Sequence, residues 1–231
     1  MKTKKIRDDA QYRNEQLSTV RQAIELFIPG FKNLRIRRSP LRMTVEKKGV
    51  VFNIKQLSDG EKCLIAMVGD IARRLAMANP SADNALKGEG VILIDEIDLH
   101  LHPSWQRMVI DRLSSTFPNC QFILSTHSPQ IIGHVKPNSV WLLSSEKGDV
   151  TAAQPENTFG MDSNLILECI MEVPERELGI KTKLMDLFKF INEGDSNMTQ
   201  KTLSEIIQIA GDLPELNRAK ALIKRKELLG K

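Results

Sequence analysis

The sequence predicts an α/β protein with a parallel-sheet core, a short antiparallel β meander before the core and an all-α C-terminal appendage. Short continuous apolar runs alternate with helical patterns in the middle of the chain, an order typical of β-α-β units with parallel strands. Short β-like runs separated by Pro40 and Gly49 precede this region. After Gly160 only helical patterns remain.

The elements are predicted from hydrophobic periodicity and from the turn residues between them. In order, the predicted elements are helix 16–28, strands 34–38, 41–46 and 50–54, helix 58–79, strand 91–94, helix 103–117, strand 121–124, a short helix from Pro129, strand 139–143, and helices 162–172, 175–193, 199–210 and 213–229. The runs at 91–94 and 121–124 are apolar throughout, which is typical of strands covered on both faces. These elements predict three segments: a helix with a basic meander (1–56), a core (57–160) and a helical module (161–231).

Composition excludes several classes of protein. The 231 residues, 41% of them hydrophobic, suffice for one large domain with an appendage. No apolar run approaches the roughly 20 residues that cross a bilayer, and the basic N-terminus is not followed by an apolar segment, so we expect no membrane contact. The three cysteines lie far apart in the sequence, which favours reduced thiols and a cytoplasmic location.

The charge is distributed unevenly. The net charge is +4, but residues 1–48 carry +8 and the remainder carries −4. The basic residues of the predicted meander are Lys32, Arg35, Arg37, Arg38, Arg42, Lys47 and Lys48. This pattern has two interpretations: a surface that follows a nucleic-acid backbone, or a basic face that is solvated or paired with acidic protein surface.

Two adjacent carboxylates, Asp95 and Glu96, end the apolar strand 91–94. Charges there are costly unless they have a role, and the carboxyl ends of parallel strands face the crevice where nucleotides bind. Asp95 is placed to hold Mg²⁺ directly or through water, and Glu96 is placed to orient or deprotonate an attacking water. The strand 121–124 leads similarly to small hydroxyl residues and His127, which we expect to contact a phosphate.

A third motif, at 57–62, precedes a long helix. Ser58 and Glu61 have the spacing of a capping box, which by itself accounts for both residues. A helix N-terminus with a serine hydroxyl and the backbone N–H of Gly60 is also suited to binding phosphate. Both interpretations remain open at this stage.

These three motifs resemble those of ATP-binding-cassette (ABC) ATPases. Residues 57–62 resemble the signature motif, 92–96 the Walker B strand, 97–102 the D-loop, and His127 the switch histidine. The longer stretches 56–64, 95–106 and 125–130 resemble SMC/RecF-like bacterial AAA family ATPases, a group that includes the ATPase subunit of Septu anti-phage systems and retron-associated relatives.

The resemblance implies a P-loop NTPase-like fold, the C-terminal lobe of an ABC ATPase, with ATP and Mg²⁺ as cofactors. Asp95 would hold Mg²⁺ through water, and Glu96 and His127 would be catalytic. Ser58, Gly60 and Asp98 would contact the ATP of the opposite subunit. The implied partners are a second copy in a head-to-tail homodimer or higher oligomer, a P-loop-bearing lobe, an HNH-type nuclease and DNA.

The resemblance also implies a P-loop with the pattern G-x-x-x-x-G-K-[ST], and none of the 13 glycines begins one. We therefore expect this sequence to be the C-terminal half of such an ATPase, inactive by itself and in need of a P-loop lobe in cis or in trans. The alternative is an inactive regulatory or scaffold module that binds a partner protein or nucleic acid. A nuclease fusion is disfavoured because residues 160–231 show no acidic strand.

Overall fold

A long first helix supports the meander. The computed structural model describes residues 2–80, 84–146 and 148–229. Helix α1 (Lys2–Phe27) begins earlier than the predicted helix 16–28, because its polar first half lacks the apolar periodicity on which the prediction relied. Ala23, Ile24 and Phe27 of α1 are fully buried.

The predicted meander is confirmed. Strands β1 (Phe31–Arg38), β2 (Leu41–Lys47) and β3 (Val50–Asn53) form an antiparallel sheet in the order β1-β2-β3. Gly49 adopts a φ of 81° in the turn between β2 and β3, a conformation that glycine takes without strain.

The core is a parallel β-α-β arrangement packed on two helices. Helix α2 (Asp59–Ala78) buries an apolar face against α1. The remaining core elements are β4 (Gly90–Ile94), α3 (Pro103–Gln106), α4 (Val109–Thr116), β5 (Cys120–Leu124) and α5 (Pro129–Ile132). Strands β4 and β5 are parallel, with Ile94 opposite Leu124, so their carboxyl ends lie side by side.

The third predicted parallel strand, 139–143, is wrong. Instead, β6 (Leu142–Glu146) pairs with β7 (Asp149–Ala153) in an antiparallel hairpin whose turn contains Gly148. The apolar run that suggested a buried strand is largely solvent-exposed, with Leu143 at 73% exposure. The polar, turn-forming residues after it specify the hairpin, and in the described part of the chain the parallel sheet consists of β4 and β5.

Only one face of the parallel pair is covered. Ile92 and Phe122 pack against the core, whereas Val91, Leu93 and Ile123 on the other face are 61%, 73% and 53% exposed. The expectation that these strands are covered on both faces is therefore met on one face only.

The chain divides into two compact units, residues 1–163 and 164–231. The second is helical and contains most of α6 (Ser163–Cys169) together with α7 (Leu178–Glu193), α8 (Ser196–Ala210) and α9 (Pro214–Leu229). Helices α7, α8 and α9 enclose a small core that includes Leu187, Ile206 and Leu216. Among the described residues, no helix has the length and apolar character needed to span a membrane.

Candidate functional site

The two carboxylates predicted to be catalytic follow β4 and are exposed. Successive residues of a strand point to opposite faces, and Ser125 N–H continues the ladder by donating to the Ile94 carbonyl at 3.0 Å. Asp95 therefore lies on the same side of the sheet as Leu93, which is the uncovered side. The uncovered face of the sheet, which exposes Val91, Leu93 and Ile123 as well as Gln121, therefore ends at a carboxylate. The sequence predicts the nucleotide crevice at this end.

Ser125, the first residue after β5, connects both carboxylate residues. Its hydroxyl donates to the Asp95 carboxylate and accepts the Glu96 backbone N–H at 2.8 Å. Glu96 has a φ of 49°, in the left-handed region that non-glycine residues rarely occupy. Such strain concentrates at functional sites, and here the Ser125 hydrogen bond helps to maintain it.

A second link joins residues 97–102, the segment that resembles a D-loop, to the segment after β5. The Asp98 carboxylate accepts from the Thr126 hydroxyl at 2.5 Å and from the His127 backbone N–H at 3.3 Å. The His127 ring is exposed and has no hydrogen-bond partner among the described residues. Asp98 thus fixes the backbone that carries the ring and leaves the ring itself accessible to a ligand.

Gln106 is a positioning residue that the sequence interpretation missed. Its amide N–H₂ donates to the Leu101 carbonyl at 3.0 Å, and its amide oxygen accepts from the Ser128 hydroxyl at 2.8 Å. Ser128 is also the N-cap of α5. Little in the sequence indicates this role of Gln106, because a glutamine at the end of a short helix has many uses. Its partner Ser128 also lies on a separate element, so sequence spacing does not predict the contact.

The predicted capping box in the segment 57–62, which resembles a signature motif, is confirmed. The Ser58 hydroxyl accepts the Glu61 N–H at 3.3 Å, and the Glu61 carboxylate accepts the Ser58 N–H at 3.1 Å and pairs with Lys47 at 2.5 Å. Burial raises the pKa of Glu61, but the hydrogen bonds from Lys47 and Ser58 outweigh burial and hold this pKa below its ordinary value. The cap uses Ser58 as an acceptor, so its O–H proton can still be donated to an anion.

Gly60 lies against the D-loop of the same chain. A Cβ at this position would be 2.6 Å from the carbonyl oxygen of His100, closer than side chains tolerate. His100 itself adopts a φ of 61°. The glycine therefore has a packing requirement within the chain, in addition to the phosphate contact implied by the resemblance.

Asp59, the third residue of the segment 57–62, forms a salt bridge with Lys62 at 2.7 Å. A hydrogen bond from Lys62 and its positive charge lower the pKa of Asp59. The carboxylate is thus paired along the helix.

The predicted site residues form two groups. Asp95, Glu96, Asp98 and His127 are joined through Ser125 and Thr126, whereas Ser58 and Gly60 lie at the N-terminus of α2 and meet the D-loop at His100. No hydrogen bond or ion pair connects Ser58 to the first group within the described residues.

The metal-binding side chains available in the first group indicate which cofactor it could hold. In the described chain, no cluster of three or more His, Cys, Asp or Glu side chains could hold a metal ion. Mg²⁺ is usually bound by one or two carboxylates together with phosphates and water, so the single exposed carboxylate of Asp95 fits a nucleotide-bound Mg²⁺.

Comparisons with known proteins agree with the resemblance inferred from the motifs. The chain is 45% identical over 177 residues to the "Retron Ec83 probable ATPase" of Escherichia coli, covering 76% of this chain and 32% of that protein. It is 37% identical over 102 residues to the "Septu protein PtuA" of Bacillus mycoides, covering 44% of this chain and 14% of that protein. The chain thus spans a third or less of the length of these relatives.

Among solved structures, the SMC head domain from Thermotoga maritima has a TM-score of 0.45 and 18% identity, over 64% of this chain and 52% of that one. The family described as "AAA domain, putative AbiEii toxin, Type IV TA system" matches residues 3–133, more than half of the chain. The chain therefore belongs to this AAA domain family.

Proposed function

We propose that this chain is the Walker B and signature half of an ATP hydrolase of an anti-phage system, completed by a P-loop-bearing lobe. The observation that carries the proposal is the joined end of β4 and β5. There, Ser125 bonds both Asp95 and the backbone of Glu96, and the exposed His127 follows Ser125 by two residues.

Bound Mg-ATP would supply the γ-phosphoryl group that is transferred to water. Asp95 would hold the Mg²⁺ through water, with its orientation set by the Ser125 hydroxyl. Glu96 would accept a proton from the attacking water, and the His127 ring would donate a hydrogen bond to the γ-phosphate. These roles need both strand ends in register, as their parallel pairing provides.

The uncovered sheet face supports the need for a second lobe. Val91, Leu93 and Ile123 expose a contiguous apolar surface directly beside the carboxylates. A lobe packed there would bury this surface and bring P-loop amides next to Asp95. Without those amides and the P-loop lysine, most phosphate contacts are missing, so we expect the chain alone to bind ATP weakly.

Ser58 and the Gly60 N–H would act in trans, in a head-to-tail dimer. They lie at the N-terminus of a 20-residue helix, where backbone N–H groups and the helix dipole favour an anion. The D-loop contacts α2 at Gly60 and the His127 segment through Asp98, so it joins the two groups within one chain. Asp98 would lie at the seam of that dimer, and an HNH-type nuclease would be the effector of the cytoplasmic assembly.

The second candidate is a scaffold module that binds no nucleotide. The observation in its favour is that Ser58, Gly60 and Asp98 all have roles within the folded chain, as cap, packing position and loop anchor. The exposed Glu96 carboxylate has no such role, because it forms no hydrogen bond or ion pair with another described residue, and this favours the hydrolase.

The test is reconstitution. The chain is mixed with a separately produced P-loop-bearing lobe, and phosphate release is measured. We expect negligible turnover by the chain alone, turnover by the mixture, and loss of turnover with retained ATP binding in Glu96→Gln. Glu89→Gln, an exposed glutamate before the same strand, is the matched control and should keep full activity.

Two results would contradict the proposal. Turnover by the isolated chain that Glu96→Gln abolishes would show that no second lobe is needed. A stable complex whose turnover is unaffected by Glu96→Gln would show that Glu96 has no catalytic role and would favour the scaffold function.

A further inference from the structure

Lys47 joins the meander to the capping box at the start of α2. It is the last residue of β2, and its ammonium group donates to one oxygen of the Glu61 carboxylate at 2.5 Å. The other oxygen of that carboxylate accepts the Ser58 backbone N–H at 3.1 Å. Glu61 thus divides its two oxygens between Lys47 and Ser58, so the orientation of its carboxylate depends on both partners.

The position of Lys47 is itself fixed by the sheet. In the strand register, Lys47 lies opposite Phe31 of β1 and opposite Val50 of β3. Its ammonium group is 5.7 Å from the centre of the Phe31 ring, which is almost fully buried, so a cation–π attraction adds to the ion pair. The ammonium group is therefore held in place from the meander side when it meets Glu61.

The ion pair of Lys47 with Glu61 differs from an ordinary surface pair. Asp70 and Arg74 form such a surface pair within α2, and the Asp70 side chain is 44% exposed. The Glu61 side chain is 14% exposed, and its cationic partner lies on a different element. An ionised carboxylate with so little access to water is costly unless it is paired. Without Lys47, the Glu61 carboxylate would turn toward water and release the Ser58 N–H.

We propose that Lys47 is a positioning residue for the phosphate contact of Ser58. This inference rests on the proposed function, in which Ser58 and the Gly60 N–H meet the ATP of the opposite subunit. Lys47 acts through Glu61, which keeps the capping box closed, so that the Ser58 hydroxyl accepts the Glu61 N–H and retains its own O–H for the phosphate. A donor that is ordered before its ligand arrives binds that ligand without an additional ordering cost.

The first test uses the chain alone, without nucleotide, and measures amide hydrogen exchange of the Ser58 N–H by NMR near neutral pH. Lys47→Met keeps the approximate length of the side chain and removes its charge. We expect exchange of the Ser58 N–H to become about fivefold faster, the effect of losing a capping interaction. Lys47→Arg keeps a charged donor and should restore the original rate.

The second test uses the mixture with a P-loop-bearing lobe and measures ATP-driven association by light scattering. Lys47→Met should raise the ATP concentration for half-maximal association by up to about fivefold, because a smaller fraction of the chain has Ser58 in the binding arrangement. Turnover at saturating ATP should be retained, since within the described residues no hydrogen bond or ion pair joins Lys47 to Asp95, Glu96 or His127.

The matched control is Arg74→Met, which removes one positive charge and one ion pair from the same helix. Because the Arg74 side chain is exposed and does not contact the capping box, this variant should match the original chain in both tests. Lys47→Arg should again behave as the original chain in the association measurement.

Three results would overturn the proposal. They are an unchanged exchange rate of the Ser58 N–H in Lys47→Met, an equal acceleration in Arg74→Met, and faster exchange in Lys47→Met without a change in the ATP concentration that association needs. A mixture of the original chain that shows no ATP-driven association would instead overturn the proposed function. The exchange measurement would then still decide whether Lys47 holds Ser58 in place.

Discussion

Replacing Gly60 with alanine separates a packing role of the signature glycine from a phosphate-binding role. The new Cβ would meet the His100 carbonyl oxygen at 2.6 Å, and a backbone atom cannot rotate away. Inserting a methyl group into a packed site costs about 1–3 kcal/mol, of which the better helix propensity of alanine returns up to about 1 kcal/mol. We therefore expect Gly60→Ala to lower the free energy of unfolding by up to about 2 kcal/mol.

Gly69→Ala in the same helix is the matched control. Its Cβ would meet only Val20, at an ordinary contact distance of 3.6 Å. Here the alanine should raise the free energy of unfolding by about 0.5–1 kcal/mol, because it orders the helix interior without a clash. The two substitutions are chemically identical, so opposite signs isolate the contact with the D-loop.

The assay is urea unfolding followed by selectively excited tryptophan fluorescence. Both tryptophans, Trp105 and Trp141, lie in the first compact unit, so the signal reports the unit that contains Gly60 without contribution from the helical module. A change of 1 kcal/mol corresponds to about 2–4 °C in Tm for a chain of this size. If Gly60→Ala stabilises the chain as Gly69→Ala does, the packing argument is refuted and the glycine serves only a ligand.

Three further predictions concern the cap, its ion pair and the uncovered sheet face. Ser58→Asp should leave the free energy of unfolding within about 0.5 kcal/mol, since aspartate caps as well as serine. In the mixture with the P-loop lobe, however, it should abolish ATP-driven association measured by light scattering, because aspartate has no O–H donor and repels phosphate. Glu61 has a lowered pKa in the folded chain, so its stabilisation is present above the ordinary value of 4.5 and is lost as the pH falls through the folded value. The deficit of Glu61→Gln in urea unfolding, about 1 kcal/mol near neutral pH, should therefore disappear in acid, and a deficit independent of pH would contradict this assignment. Leu93→Asn should change the free energy of unfolding by less than about 0.5 kcal/mol yet block co-purification with the P-loop lobe, whereas Ile92→Asn, facing the core, should unfold the chain.

Features determined by neighbouring residues could be predicted from the sequence. The capping box at Ser58 depends on a residue three positions away, and the turn at Gly49 depends on the backbone of that glycine, so the sequence predicts both. The sequence also predicts that Asp95 and His127 follow neighbouring strand ends, because adjacent parallel strands end at the same edge of a sheet.

Contacts between distant parts of the chain could not be predicted in this way. The hydroxyl of Ser125 reaches Asp95 across 30 positions, and that of Thr126 reaches Asp98 across 28. Both depend on the register of the strand pair, which sequence periodicity does not specify. The incorrect third strand has the same origin, since the apolar residues up to Leu143 resemble a buried strand until the hairpin partner is known.

Strand β4 has apolar side chains on both of its faces, although only one face packs against the core. Val91 and Leu93 are as apolar as Ile92 and Ile94, although only the latter pair faces the core. A strand with one solvated face normally alternates apolar and polar residues, because nothing stabilises aliphatic side chains in water. The continuous run is therefore suited to a sheet covered on both sides, and the polar residues that follow it are suited to a ligand held beneath that cover. We infer that the sequence of β4 is adapted to the assembled protein. The Ile92 variant tests the face that stabilises the chain, and the Leu93 variant tests the face that completes the nucleotide site.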